Sequence, residues 1–172
     1  ESAGAARLRV LVATDSAADQ RKTLAAVRSL GRRGCHVVVG CDPGLCPPAW
    51  SRYCGGHVSY PSPFLAREEF VATLSSIVRT GRFDVLLPLS DHTTFPVVMC
   101  AEELAPHVGL CVPGPEALAR AHDKLGILSV ASRLGIELVS LVRVDRAAGC
   151  FVCEALTCAL PTEVHVGYSR EL

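Results

Sequence analysis

The chain has 172 residues, 49% of them apolar and 20% charged, enough to bury a sizeable core and too apolar for general disorder. Its 17 Lys plus Arg balance its 17 Asp plus Glu, and no basic block supplies the electrostatic footprint that nucleic acid demands. The longest apolar runs, such as Val10 to Ala13, fall far short of the roughly 20 residues needed to cross a bilayer. Neither nucleic acid nor membrane is therefore an expected partner.

In chain order, Arg7 to Thr14 is β-rich with a continuous apolar centre, the pattern of a parallel strand covered on both faces. Gln20 to Arg33 places Leu24, Val27, Arg28 and Leu30 at helical spacing before Gly34 stops it, and Cys35 to Gly40 reads as a second strand. Such a βαβ unit is right-handed almost by rule and starts a parallel sheet. Asp42 to Gly56 is punctuated by Pro43, Gly44, Pro47, Pro48, Gly55 and Gly56 and reads as a long loop. Trp50 and Tyr53 are expected either to fold it down by burying aromatic area or to stack on a ligand.

His57 to Tyr60 predicts a short third strand. Glu68 to Arg79 predicts a helix with Phe70, Val71, Leu74, Ile77 and Val78 on one stripe, and Asp84 to Leu89 a buried strand. Thr93 to Leu104 reads as a helix with Pro96 in its first turn, where proline is tolerated. Gly109 to Val112 is a brief fifth strand, followed by one or two helices over Pro115 to Leu134. This alternation predicts an α/β fold: a doubly wound, mostly parallel, Rossmann-like sheet. Beyond Ile136 the rhythm weakens; Leu138 to Val144 reads as an edge strand, Ala147 to Leu160 is ambiguous, and Glu163 to Val166 reads as one more short strand.

In a doubly wound sheet ligands sit outside the carboxyl ends of the strands, so the informative loops are 14–19, 42–56 and 90–94. The first, Thr14-Asp-Ser-Ala-Ala-Asp19, holds no glycine, which argues against the close pyrophosphate approach of a tight NAD or FAD site. Ser90-Asp91-His92 carries the residue types of a hydrolytic triad, but consecutive residues do not converge on one another. Ser90 or Asp91 is expected to cap the next helix, with a polar substrate contact as the compatible alternative.

Nine cysteines, an odd number scattered through apolar segments, read mostly as reduced, buried small hydrophobes, with Cys41 and Cys46 more exposed beside their loop. Cys150 and Cys153, with Cys158 and His165 behind them, are a potential zinc set whose spacing suits no common finger. The N-terminus lacks a basic stretch leading into an apolar one, so no signal peptide is visible and a cytoplasmic site is the expectation.

Taken in order, the strand ending at Thr14-Asp15, the helix Gln20 to Gly34, Ser51 to Cys54, Tyr60-Pro-Ser-Pro63, Asp84 to Asp91, Ala121-His-Asp-Lys124 and Ala131 to Ile136 resemble the opening of ATP-grasp carboxylate-amine ligases. These are related to carbamoyl-phosphate synthase and biotin carboxylase. The ordered set covers about three quarters of the chain, Leu8 to Ile136. The resemblance implies a pre-ATP-grasp domain over residues 7–136 and a short, irregular, divergent or truncated extension over residues 137–172. It further implies that Lys124 reaches nucleotide phosphates and that Asp15, Ser90 and Asp91 face a substrate cleft. A solvated helix lysine is the other reading of Lys124.

In the parent enzyme ATP and magnesium would be the cofactors, and a small carboxylate or amine the substrate. The family's second ATP-binding lysine, its glycine-rich lid and its metal-binding acids have no counterpart here, with Gly167 at the lysine's place. The chain alone is therefore expected neither to hold ATP tightly nor to catalyse, and no catalytic or metal-binding residue is assigned. An exposed apolar edge where the grasp domain would pack would favour a homodimer or a docking partner. Two alternatives of other classes stand beside this reading. One is a non-catalytic small-ligand or protein-interaction module from a truncated isoform, the other a zinc- or redox-active protein using the carboxy-terminal cysteines.

Overall fold

The structure, a computed structural model, describes residues 7–15, 19–136, 141–145 and 150–153. The chain divides into two compact units, Glu1–Leu118 and Ala119–Leu172. The first holds β1 (Arg9–Ala13), α1 (Gln20–Arg32), β2 (His36–Cys41), a 3-10 turn (Pro47–Trp50), β3 (Cys54–Ser59), α2 (Arg67–Gly81), β4 (Val85–Pro88), α3 (Asp91–Met99), α4 (Ala101–Leu104) and β5 (Gly109–Leu110). Helix α5 (Pro115–His122) spans the division, and the second unit continues with α6 (Lys124–Arg133), β6 (Leu141–Asp145) and β7 (Cys150–Cys153).

Five strands form one wholly parallel sheet in the order β3-β2-β1-β4-β5. The order follows from a reversal of direction. From β1 the chain steps outward to β2 and β3, then crosses back over β1 to add β4 and β5 on the other side. With both crossovers right-handed, the reversal sends α1 and α2 to opposite faces of the sheet.

The core records this directly, because alternate residues of β1 enter different clusters. Val10 and Val12 pack with Val27 of α1, Val37, Val39, Cys41 and Cys46. Leu11 and Ala13 pack with Phe70, Leu74 and Val78 of α2 and with Val97 of α3. A strand covered on both faces has no polar side, which is why the centre of β1 reads as an unbroken apolar run.

The elements match the sequence pattern except where proline or glycine sets the boundary. Strand β3 begins at Cys54, inside the segment expected to be loop, and runs through Gly55 and Gly56. It is an edge strand with a register shift against β2 between Val37 and Val38, the setting in which glycine is found in sheets. At Gly55 the missing side chain is needed, since a Cβ would come within 2.5 Å of the His36 ring.

Helix α3 begins at Asp91 rather than Thr93, so Pro96 lies past its first turn, and the chain breaks at Cys100 before α4. Proline removes one intrahelical donor, and a short helix followed by a second is how that loss is absorbed here. Pro88 costs the sheet little, because β5 pairs only with Val85 and Leu86, while the Leu89 amide donates to Ala13 O at 3.0 Å.

Trp50, expected either to fold the loop down or to stack on a ligand, is exposed and so does not fold it down, and Cys41 and Cys46, expected to be more accessible, are buried in the cluster with Val12 and Val39. Burial and the neighbouring Cys46 thiol push the Cys41 thiol up to about 12, so it is a packing residue rather than an activated nucleophile. In the second unit, β6 does not join the main sheet as an edge strand; it pairs antiparallel with β7 in a sheet of two strands. Cys150 to Cys153 is thus strand β7, while Cys158, His165 and the segment Glu163 to Val166 lie outside the described residues. No helix among the described residues is long and apolar enough to cross a membrane.

Candidate functional site

Strand order places the topological switch point between β1 and β4. There the connections leave in opposite directions, and it is at this point of the carboxyl edge that doubly wound sheets receive ligands. The residues leaving β1 are Thr14 and Asp15; those leaving β4 are Leu89, Ser90 and Asp91. Because Ala13 is in register with Pro88, these two exits are direct neighbours. Asp15, Ser90 and Asp91, singled out along the sequence from distant segments, are brought to this one edge.

The edge is held by a buried polar frame. Tyr60, 2% exposed, sends its ring under the ends of β1 and β2. Its phenol oxygen accepts the Thr14 amide at 2.8 Å and lies 2.8 Å from Thr14 O and 2.5 Å from Gly40 O, so its one proton is shared between two carbonyls. Gly40 makes room for this, since a Cβ there would stand 2.5 Å from the Tyr60 ring. Burial drives the phenol well above its ordinary pKa, and it stays a neutral donor.

On the other side, Thr23 of α1 donates to Asp19 O at 2.9 Å and meets the Thr14 hydroxyl at 2.8 Å, tying the first turn of α1 to the end of β1. Ser90 is the N-cap of α3. Its hydroxyl accepts the Thr93 amide at 3.2 Å, and the Thr93 hydroxyl returns to the Ser90 amide at 3.2 Å, completing a capping box.

Charge at the edge is mostly negative. Asp15 and Asp19 are 6% and 5% exposed, and Asp91 opens α3. Lys22 answers one of them, binding Asp19 at 2.5 Å and reaching across the switch point to Leu89 O at 3.4 Å. Lys22, Thr23 and Tyr60 were not among the expected site residues. The Asp19–Lys22 spacing of three residues at a helix start was the available signal for the first. A tyrosine immediately after an edge strand, with a glycine ending the strand beside it, was the signal for the last.

The residues of this edge suit an uncharged or cationic polar group better than a triphosphate. The turn after β1 lacks glycine, and its nearby ammonium is already held by a carboxylate. Lys124, expected to serve the nucleotide, opens α6 in the second unit, and its side chain lies outside the described residues.

No family model matches this sequence, and no curated protein matches it. Among solved structures, the biotin carboxylase domain of a single-chain bacterial carboxylase is similar, with a TM-score of 0.52 and 17% sequence identity over 82% of this chain and 33% of that one. The chain therefore spans about a third of the length of that relative. The likeness shows the fold: this chain carries a doubly wound α/β fold of the kind found in a biotin carboxylase domain, as the ordered sequence segments led one to expect.

Proposed function

We propose that the chain is the front, pre-ATP-grasp domain of an ATP-dependent carboxylate-amine ligase and that it supplies the substrate-facing wall of the active site. The observation that carries this is the convergence of Asp15, Ser90 and Asp91 on the carboxyl edge at the β1/β4 switch point, in a fold shared with a biotin carboxylase domain. In the parent enzyme a carboxylate would be activated as an acyl phosphate and attacked by an amine. ATP and magnesium would be held chiefly by parts other than this edge, with Lys124 adding a cation to the nucleotide phosphates. The chain by itself binds a small polar substrate weakly and does not turn it over.

Within that reading the edge has a division of labour. The Ser90 hydroxyl is committed to the α3 cap, so its contribution to a ligand is to orient the first amides of that helix. Asp15 and Asp91 supply acceptors for an amine or hydroxyl of the substrate. The test is an amide-resolved NMR titration of the chain with small amines, amino acids and dicarboxylates. Shifts clustered at residues 14–15 and 89–93, lost in Asp15→Asn, are expected. A ligand that binds saturably without touching these amides would overturn the assignment of the wall.

A further inference from the structure

The opposite, amino-terminal edge of the same sheet holds a recess that the ligase reading does not use. It has a volume of about 120 Å³ and lies where Arg7 approaches β1 and where β2 and β3 begin, at His36 and Cys54. We propose that it binds a phosphate group, either as inorganic phosphate or as the end of a phosphomonoester.

Three observations converge on this. The first is charge. Arg7, Arg52 and His36 line the recess with Tyr53, and among the described residues no carboxylate lines it. Arg32 stands over the Tyr53 ring at 5.7 Å from its centre, and Arg52 lies at 4.8 Å. Among the described residues none of these arginines forms an ion pair. In a chain with no net charge, three guanidinium groups gathered without an acid are a local excess that an anion would answer.

The second is how the cations are held. Arg52 Nη2 donates to the Tyr53 hydroxyl at 2.7 Å, and Arg52 and then Arg32 draw the phenol's pKa down. A phenol is thus the acceptor where a carboxylate would ordinarily sit, so the guanidinium is oriented but its charge is not neutralised. Arg7 is fixed similarly: its Nε donates to Gly34 O at 2.5 Å, and Gly34 adopts φ of 87° just past the end of α1. The carboxyl end of a helix would by itself repel an anion, and here its carbonyls are answered by the chain's own amides, Arg33 and Cys35 donating to Leu30 O and Gly34 to Gly31 O.

The third is shape. Gly31 and Gly55 line the recess, and a side chain at either would strike Tyr53 or His36 respectively, at 2.6 and 2.5 Å. The walls are therefore packed to their closest approach, and the space they leave suits a tetrahedral oxyanion with a few waters rather than a nucleotide. Guanidinium forks match phosphate oxygens in geometry as well as charge.

The experiment titrates the whole chain with inorganic phosphate and, separately, with glycerol 3-phosphate at constant ionic strength set by chloride, followed by amide NMR. Saturable shifts at residues 35–37 and 52–55 are expected. Saturation by inorganic phosphate alone identifies the free ion as the ligand; tighter saturation by the ester identifies a phosphomonoester. Arg52→Gln should weaken binding roughly tenfold or more, Arg52→Lys less, and Tyr53→Phe should leave it within about twofold because the charges remain. Arg52 is exposed, and an unchanged thermal midpoint in its variants separates lost binding from lost fold. Shifts that never saturate, or equal binding by Arg52→Gln, would overturn the proposal. Because the reporting amides lie on the edge opposite residues 14–15 and 89–93, failure here leaves the ligase reading to stand or fall on its own titration.

Discussion

The contact between Gly40 and Tyr60 sets the position of the β1 exit, and a double-mutant cycle measures it. In Gly40→Ala the new Cβ would sit 2.5 Å from Cε1 of Tyr60 and 3.3 Å from its Cζ and hydroxyl. Tyr60 cannot swing away, because its ring packs edge-on against Phe70 at 4.9 Å and 80° and its hydroxyl holds three backbone groups. Overpacking of this kind costs about 1–3 kcal/mol, and alanine's lower unfolded-state entropy returns about 0.5–1, leaving a net loss of about 0–2.5 kcal/mol.

Tyr60→Leu loses the hydroxyl bonds and the edge contact and should cost about 3 kcal/mol. It also removes the atom that alanine strikes. In the double variant Gly40→Ala should therefore keep only its entropic gain of about 0.5–1 kcal/mol, a coupling of about 1–3 kcal/mol. Urea unfolding followed by far-UV circular dichroism reads these values, provided the urea dependence is the same in all four proteins. If the two single losses simply add, within about 0.3 kcal/mol, the close approach of Gly40 to Tyr60 is not what fixes this edge.

Three further outcomes follow from other parts of the molecule. Ser90→Ala should lower stability by about 1 kcal/mol in the same unfolding assay, and Ser90→Asp should recover most of it, because both Ser and Asp accept the Thr93 amide. The Cys41 thiol, raised in the fold to about 12 from 9.0, gives stability that is complete below pH 9. Above that pH the unfolded chain releases the proton first, so stability falls by up to about 1.4 kcal/mol per pH unit until the folded thiol titrates too; Cys41→Ala should flatten this alkaline slope. Magnesium-ATP should bind the chain with a dissociation constant weaker than about 1 mM by calorimetry, and micromolar binding would show that this chain holds more of the nucleotide site than proposed.

Most of the sheet was legible because a strand covered on both faces leaves an uninterrupted apolar signature, as at Val10 to Ala13 and Val37 to Val39. The amphipathic stripe of α2, with Phe70, Leu74 and Val78 buried, was legible for the same reason. What escaped were elements whose residues are chosen for contact rather than propensity. The first half of β3 carries Gly55 because His36 needs the space, and with Gly56 beside it the pair of glycines reads as loop. The start of α3 was placed at Thr93, although Ser90 or Asp91 was expected to cap it; Ser90 is the cap, and its capping box with Thr93 puts Asp91 and His92 inside the helix.

The same distinction bears on the carboxyl edge. A serine and two aspartates at strand ends look alike in a sequence, but the folded chain has already assigned the serine to its helix and the buried threonines to one another. Thr14, Thr23, Tyr60, Ser90 and Thr93 spend their polar atoms on holding β1, β2, α1 and α3 in register. A ligand at this edge would thus meet carboxylates and backbone amides presented by a rigid frame, not a set of adaptable hydroxyls. That favours recognition of a small polar group by position, since moving Asp15 relative to Asp91 would require breaking the Thr14, Tyr60 or Ser90 contacts first. Substitutions in the frame should therefore alter where ligand-induced shifts fall along residues 14–15 and 89–93. Substitutions of Asp15 itself should abolish them.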